Sequence, residues 1–387
     1  MKAKRRVIAG QAAWVMANSQ VELAVTELGG QMAPVTFCRD SARPILPYFI
    51  SPWQFEKGKK LKIDDPVVRP LRGDFFCLPF GAPGVYRGVE HVCHGEPATG
   101  KWKFGSLEVA GDTTRMTMTM RTRTLPGKVT KNLRLIDGHN VVYCQHVLEG
   151  FSTRMPLGHH AMLAVPEKPG SLRIATSPFK LGMTNPTDFD DPEIGHYQSL
   201  AVNAKFTSLA KVPLKWKDPA VGDCSRHPVR TGFTDLLGVW ARAAKAPAWT
   251  TATIQDEGFM WFSLKDPAML PATVMWISNR GRHSSPWNGR NRCLGVEDVC
   301  AYFANTAAES VRRNQLSAMG IPTAVKLSKA KPTVVNHIQG VVKVPRGFKC
   351  VKTASFAAGK VTFTSITGKK VTATVCHEFL TTGKVEA

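Results

Sequence analysis

The stretch MPLGHHAMLAVPE, residues 155–167, sets His159 and His160 side by side in a run that otherwise reads as a β-strand. Successive strand side chains leave on opposite faces. At most one of the two imidazoles can therefore serve a site on a given face as a proton donor or acceptor. The other is expected to be structural or to support the site from behind. A second group, HVCH at 91–94, puts His91 and Cys93 on one strand face, but no second ligand pair accompanies it, so no metal is expected. The run NRGRHSSPWNGRNR, 279–292, concentrates Arg280, Arg282, Arg290 and Arg292. A guanidinium is a planar fork suited to phosphate or carboxylate; the competing reading pairs these arginines with acidic residues or leaves them solvated at a rim. Trp261, Trp276 and Trp287 could line a cleft, although such tryptophans are more often core. Phosphate-binding glycine loops, the paired histidines of zinc proteases and the serine elbow of hydrolases are all missing.

Strands must position these groups. AWVMANSQVELAV reads as two strands joined through Asn18-Ser19, and RMTMTMRTRT, 115–124, alternates with the period of a two-faced strand. KVTKNLRLIDGHNVVYCQHVLEG carries Asp137-Gly138 between two β-rich runs, a strong hairpin signal. TATIQDEGFMWFSL and VTFTSITGKKVTATV repeat the pattern around Gly258 and Gly368. One short helix is predicted over 305–320, stopped by Gly320 and Pro322. Many closely spaced strands without a fixed-period repeat predict an all-β fold, a large β-sandwich. No linker rich in Pro, Gly or Ser divides the chain, so 1–387 is expected to be one domain, with 321–387 as extra C-terminal strands packed on it.

The chain has 387 residues, of which 43% are hydrophobic and 21% charged, enough to bury a large core. Its formal net charge is +22. Much of the excess lies after Ser310, where thirteen Lys and Arg face only Glu378 and Glu386. Such a surface attracts nucleic acid, anionic membrane or an anionic ligand. The charges are spread between apolar strand positions and read as solvated strand faces. The interleaved aromatic and basic pattern of an RNA-binding sheet is missing, and no apolar run approaches the roughly 18 residues of a membrane span. Neither a nucleic-acid nor a membrane partner is expected. Nine scattered cysteines without a CxxC pair favour a reducing cytoplasm. The start, MKAKRRVIAGQAAWVMANSQ, has the basic region of an export signal, but Gly10 and Gln11 interrupt its apolar part.

Several segments, taken in order, resemble the aldose 1-epimerase or galactose mutarotase-like superfamily. VELAVTELGGQMAPVTF, 21–37, is similar to its opening, where a strand enters a Gly-Gly turn. PLRGDFFCLPFG, 70–81, resembles the hexose-6-phosphate mutarotase branch, and HGEPATGKW, 94–102, matches the His-Gly followed by Trp. PLGHHAML falls where the family has Gly-any-His, which selects His160, and LGVEDVCAYF places Glu297 at the position of the essential glutamate. These landmarks span roughly residues 14–303. Glu96-Pro97-Ala98 stands where the family often has a sugar-binding arginine.

The resemblance implies a cofactor-free sugar mutarotase. Glu297 would take the proton of the anomeric hydroxyl while His160 protonates the ring oxygen, so that the ring opens, the C1–C2 bond rotates and the roles reverse on closure. His94 would donate at or near the ring oxygen, and Arg72 and Asp235 would hold peripheral hydroxyls. If the 279–292 loop folds over the site, Arg282 and Trp287 join it, and the substrate would be a monosaccharide or sugar phosphate. The bland alternatives are a core histidine at 160, a strand-end glutamate at 297, an ion-paired arginine at 72 and a turn-capping histidine at 94. A non-catalytic carbohydrate-binding protein, a lyase or hydrolase on the same sandwich, or a basic nucleic-acid-binding β protein are the competing functions.

Overall fold

The structure is a computed structural model, and it describes residues 4–56, 62–242 and 244–385. Two large antiparallel sheets, of eleven and nine strands, face each other. The strands come from alternation. In Thr113–Thr122 the methionines 116, 118 and 120 point into the core while Thr117 and Thr119 stay half-buried. The expected hairpins are present. Asn18 accepts hydrogen bonds from the backbone of Gln20 and Val21 and so holds the turn between Gln11–Ala17 and Glu22–Thr26. Gly138, at φ +83°, allows Gly127–Ile136 to return as Val141–Glu149.

The single predicted helix is instead two short ones, Ala307–Val311 and Gln315–Ala318. Each has its own cap. Thr306 and Glu309 form a capping box, and the Asn314 side chain accepts from the N–H groups of Leu316 and Ser317. Arg312 between them is extended, at ψ 165°. A second strong N-cap residue inside the run restarts the helix rather than continuing it.

After Pro322 the chain returns to the nine-stranded layer. Thr333–Lys343 is an inner strand of the nine-stranded sheet, paired with Val141–Glu149 on one side and Phe259–Lys265 on the other. Val351–Ala357, Lys360–Ser365 and Lys370–Thr374 then form a small sheet. Its Val361 and Phe363 pack with Trp249, Phe262 and Tyr143 from the large sheet.

The site depends on three neighbours in the eleven-stranded sheet. The histidine strand, Leu157–Ala164, lies between Asp74–Cys77 and the glutamate strand, Arg292–Cys300. The register sets His160 opposite Glu297 and His159 opposite Asp298. Directly opposed residues point to the same face. One pairing therefore brings an acid and a base together, and the next sends a second such pair to the other side.

Candidate active site

On one face of these strands lies a cavity of about 260 Å³ lined by His94, His160, Glu297, Arg282 and Trp287, with Trp276 and Asp65 among the other walls. His160 Nε2 and Glu297 Oε1 are 3.1 Å apart, and both side chains are almost fully buried. The His160 ring stacks on Phe75 at 4.6 Å, which fixes its plane. Burial pushes the Glu297 carboxyl well up. Burial, with His94 adding to it, pushes the His160 imidazole well down. Each shift disfavours the charged form, so the two groups favour holding a single proton between them.

Glycines make room for this pair. A Cβ on Gly295 would come within 2.8 Å of Glu297 Oε1 and 2.9 Å of Trp276 Cβ, so the bare backbone lets the carboxylate lie along its own strand. At Gly95 the φ of +73° and a Cβ only 2.1 Å from the Leu78 carbonyl oxygen would exclude any side chain. That fixes His94, itself left-handed at φ +56°, at the mouth of a short turn. The Gly81 N–H donates to His94 Nδ1 at 3.4 Å. With Nδ1 accepting, the proton of the neutral ring sits on Nε2. Burial lowers the His94 pKa to about 4, so the ring is a neutral donor at physiological pH.

Arg282 is already committed. Its Nε and Nη2 donate to Asp190 at 3.0 and 2.8 Å, and its guanidinium carbon sits 5.2–5.7 Å from the ring centres of Phe189, Trp276 and Trp287. The other three arginines of the 279–292 loop do not line the cavity: Arg280 and Arg292 pair with Glu167 and Arg290 with Glu56. The expected arginine crowd around the sugar is thus reduced to Arg282.

Two expected sugar ligands are corrected by the structure. Arg72 is fully buried and donates to the backbone carbonyls of Ile8, Ala9 and Pro70 and to the Gln54 side chain at 2.7–3.0 Å. Burial lowers its pKa to about 10. It ties the first strands to the sheet, and its neighbour Leu71 faces the cavity in its place. Asp235 likewise accepts from the backbone N–H groups of Ser199 and Leu200, while Leu236 lines the cavity. Both misplacements are by one residue, as alternation requires once the neighbour is the lining group. Trp261 is core, donating to Tyr48 at 3.1 Å. His91 and Cys93 line different crevices, and no cluster of three metal-binding side chains occurs among the described residues.

Asp65, Phe189 and Asp190 were not legible as site residues. Asp65 caps the 3₁₀ turn Pro66–Val68 through the Val67 N–H, and only the fold brings that turn to the cavity.

The opposite face is a buried polar layer. His159 Nδ1 meets Asp74 Oδ2 at 2.9 Å, and its ring stacks on His337 at 4.3 Å. His337 Nε2 meets Asp298 Oδ2 at 2.9 Å, and Lys265 Nζ meets Asp298 Oδ1 at 2.6 Å. His159 faces away from the cavity.

No protein family's sequence profile matches the chain, and no curated protein is significantly similar in sequence. Solved structures are similar in shape. A proposed aldose 1-epimerase from Escherichia coli K12 superposes with a TM-score of 0.54 at 13% identity, covering 87% of this chain and all of that one. A galactose mutarotase-like protein from Clostridium acetobutylicum gives 0.57 at 11% identity, over 89% and 99% of the two chains. A proposed mutarotase from Salmonella typhimurium gives 0.55 at 11% identity, over 88% and 94%. With its two large antiparallel sheets, the chain has the all-β fold of the aldose 1-epimerase and galactose mutarotase-like structures.

Proposed function

We propose that the protein is an aldose 1-epimerase-like mutarotase. The observation that carries this is the cross-strand contact of His160 and Glu297, 3.1 Å apart in a cavity of monosaccharide scale. A sugar entering the cavity parts the pair, and the one proton they share passes to His160, leaving Glu297 ionised beside the anomeric hydroxyl. Glu297 removes the proton of the anomeric hydroxyl and His160 delivers its proton to the ring oxygen. The C1 carbonyl forms as the C1–ring-oxygen bond breaks, and after rotation about C1–C2 the same two transfers reverse. His94 Nε2–H is the donor that holds the ring oxygen. Trp287 and Trp276 offer apolar faces to the sugar carbons, and Arg282 binds a hydroxyl at the rim. No cofactor takes part.

A neutral aldose suits this cavity better than a phosphorylated or uronic one. Arg282 is neutralised by Asp190, and Asp65 adds a carboxyl to the wall. The nine cysteines, all unpaired, support a reducing compartment such as the cytoplasm.

Anomer exchange measured by NMR or polarimetry on glucose, galactose, glucose 6-phosphate and glucuronate tests the reading. Glu297→Gln and His160→Ala are each expected to slow exchange at least about a hundredfold, with neutral sugars the better substrates. Sugar binding by the native protein with no exchange would leave a non-catalytic carbohydrate-binding protein instead.

A further inference from the structure

Between Ser310 and His377 the chain has no acidic residue. The small C-terminal sheet shows where that matters. Its inner side carries Val361, Phe363 and Ala373 against the large sheet. Its outer side is a grid fixed by register: Thr353, Thr364 and Lys370 in one row, Ser355, Thr362 and Thr372 in the next, and Ala357, Lys360 and Thr374 in the third. Six hydroxyls and two ammonium groups thus lie on one surface, with no carboxylate and no aromatic ring. Soluble surfaces ordinarily intersperse both signs.

One end of this sheet is distinctive. The turn after Lys360–Ser365 raises Ile366, 53% exposed, with Lys369 and Lys370 following it. The 346–350 loop lies alongside: Ile366 N–H donates to the Cys350 carbonyl at 2.9 Å, Thr367 Oγ1 to Gly347 at 2.9 Å, and Lys369 Nζ to the Arg346 carbonyl at 2.8 Å. Arg346 and Lys349 on that loop are also exposed. Four exposed cations therefore lie on the turn and the adjoining loop that carry the raised isoleucine, and none of them forms an ion pair among the described residues. Acids border the tip through the turn Gln255–Glu257, which Gln255 bonds to Lys349 and Pro345. Asp256 there is paired with Lys168, and Glu257 is the other carboxyl.

We propose that this tip is a docking site for anionic phospholipid headgroups, with Ile366 dipping into the interface and Arg346, Lys349, Lys369 and Lys370 contacting phosphates. This departs from the expectation of no membrane partner. The choice of lipid over nucleic acid rests on Ile366. An exposed apolar side chain on the same tip as the cations gains by leaving water at a bilayer interface, whereas binding to the phosphates of a duplex would make no use of it. The outer grid also lacks the aromatic platforms that single-stranded nucleic acid requires. The attraction is peripheral and reversible, because each cation adds only a modest factor and salt screens it. The site is independent of the sugar cavity and of the activity proposed for it.

Co-sedimentation of the full chain with phosphatidylcholine vesicles, with and without phosphatidylserine, at two salt concentrations tests this. Binding is expected only with phosphatidylserine and is expected to fall as salt rises. Lys369→Ala combined with Lys370→Ala is expected to weaken it roughly thirtyfold, about fivefold per lysine. Ile366→Ser should weaken it further while leaving the melting temperature unchanged. Lys349→Ala, on the adjoining loop, replaces the lysine pair if that variant does not fold. Equal binding to neutral vesicles, no binding to phosphatidylserine vesicles, or binding unaffected by these substitutions overturns the proposal. So does tighter binding to duplex DNA that ignores Ile366→Ser, which would mark a nucleic-acid surface instead.

Discussion

In the proposed exchange His160 and Glu297 act through one shared proton. Loss of that proton is displaced upward because burial disfavours the Glu297 carboxylate. Uptake of a second proton is displaced downward because burial and His94 disfavour the His160 imidazolium. The two apparent values belong to the pair. The singly protonated pair, which is the form able to give and take a proton at once, therefore occupies a broad pH window. The specificity constant for anomer exchange is expected to be flat across the ordinary imidazole value of about 6.5, falling only at lower and higher pH. A single inflection at that value in a pH–rate profile would mean that an unpaired histidine controls the reaction. His94 does not supply one, since its proton affinity already lies at about 4.

At the scale of the strands, the reverse face of the His160–Glu297 pairing holds a buried network of charged side chains. Burial alone would raise the Asp298 pKa, but Lys265 and His337 outweigh it and hold the carboxyl far below its usual range. Burial lowers the Lys265 ammonium, and Asp298 opposes that. Asp298→Ala would leave a buried ammonium unpaired and is expected to cost about 3–5 kcal/mol in denaturant unfolding. A carboxyl depressed in the folded state contributes stability above its unfolded pKa of about 3.9, and that contribution is lost as pH falls toward the folded value. The native protein should therefore lose stability in acid more steeply than the Asp298→Ala variant. A cost under about 1 kcal/mol, or identical acid slopes, would show that Lys265 finds another partner. This layer also marks what the sequence could tell. Alternation alone set His159 and His160 on opposite faces of a run that reads as a strand. The rest of the layer was hidden, because Asp74 and His337, which contact His159, and Asp298 and Lys265 beyond them come from strands far apart in the chain. Arg72 misled for a related reason: its acceptors are the carbonyls of Ile8, Ala9 and Pro70, and a backbone acceptor leaves no mark on residue type.

At the scale of the whole molecule, the C-terminal region is joined to the sandwich in two different ways. Thr333–Lys343 is hydrogen-bonded on both sides inside the nine-stranded sheet. The small sheet that follows is held by side chains, with Phe363 fully buried at ring distances of 5.2 Å from Phe262 and 6.3 Å from Trp249. An inner strand cannot leave without breaking the sheet, so we expect the extension and the sandwich to unfold together as one unit. Phe363→Ala removes a buried ring and should cost about 3–5 kcal/mol. If the coupling holds, that loss lowers a single transition, seen at the same temperature by tryptophan emission and by far-ultraviolet circular dichroism. Trp249 is the useful reporter, because its indole lies at the seam. Two transitions, with only the lower one moved by Phe363→Ala, would instead make the small sheet a separately melting cover. Even then Thr333–Lys343 would have to stay with the sandwich, because its two neighbours, Val141–Glu149 and Phe259–Lys265, would otherwise face each other across an empty strand position, with backbone donors and acceptors unpaired.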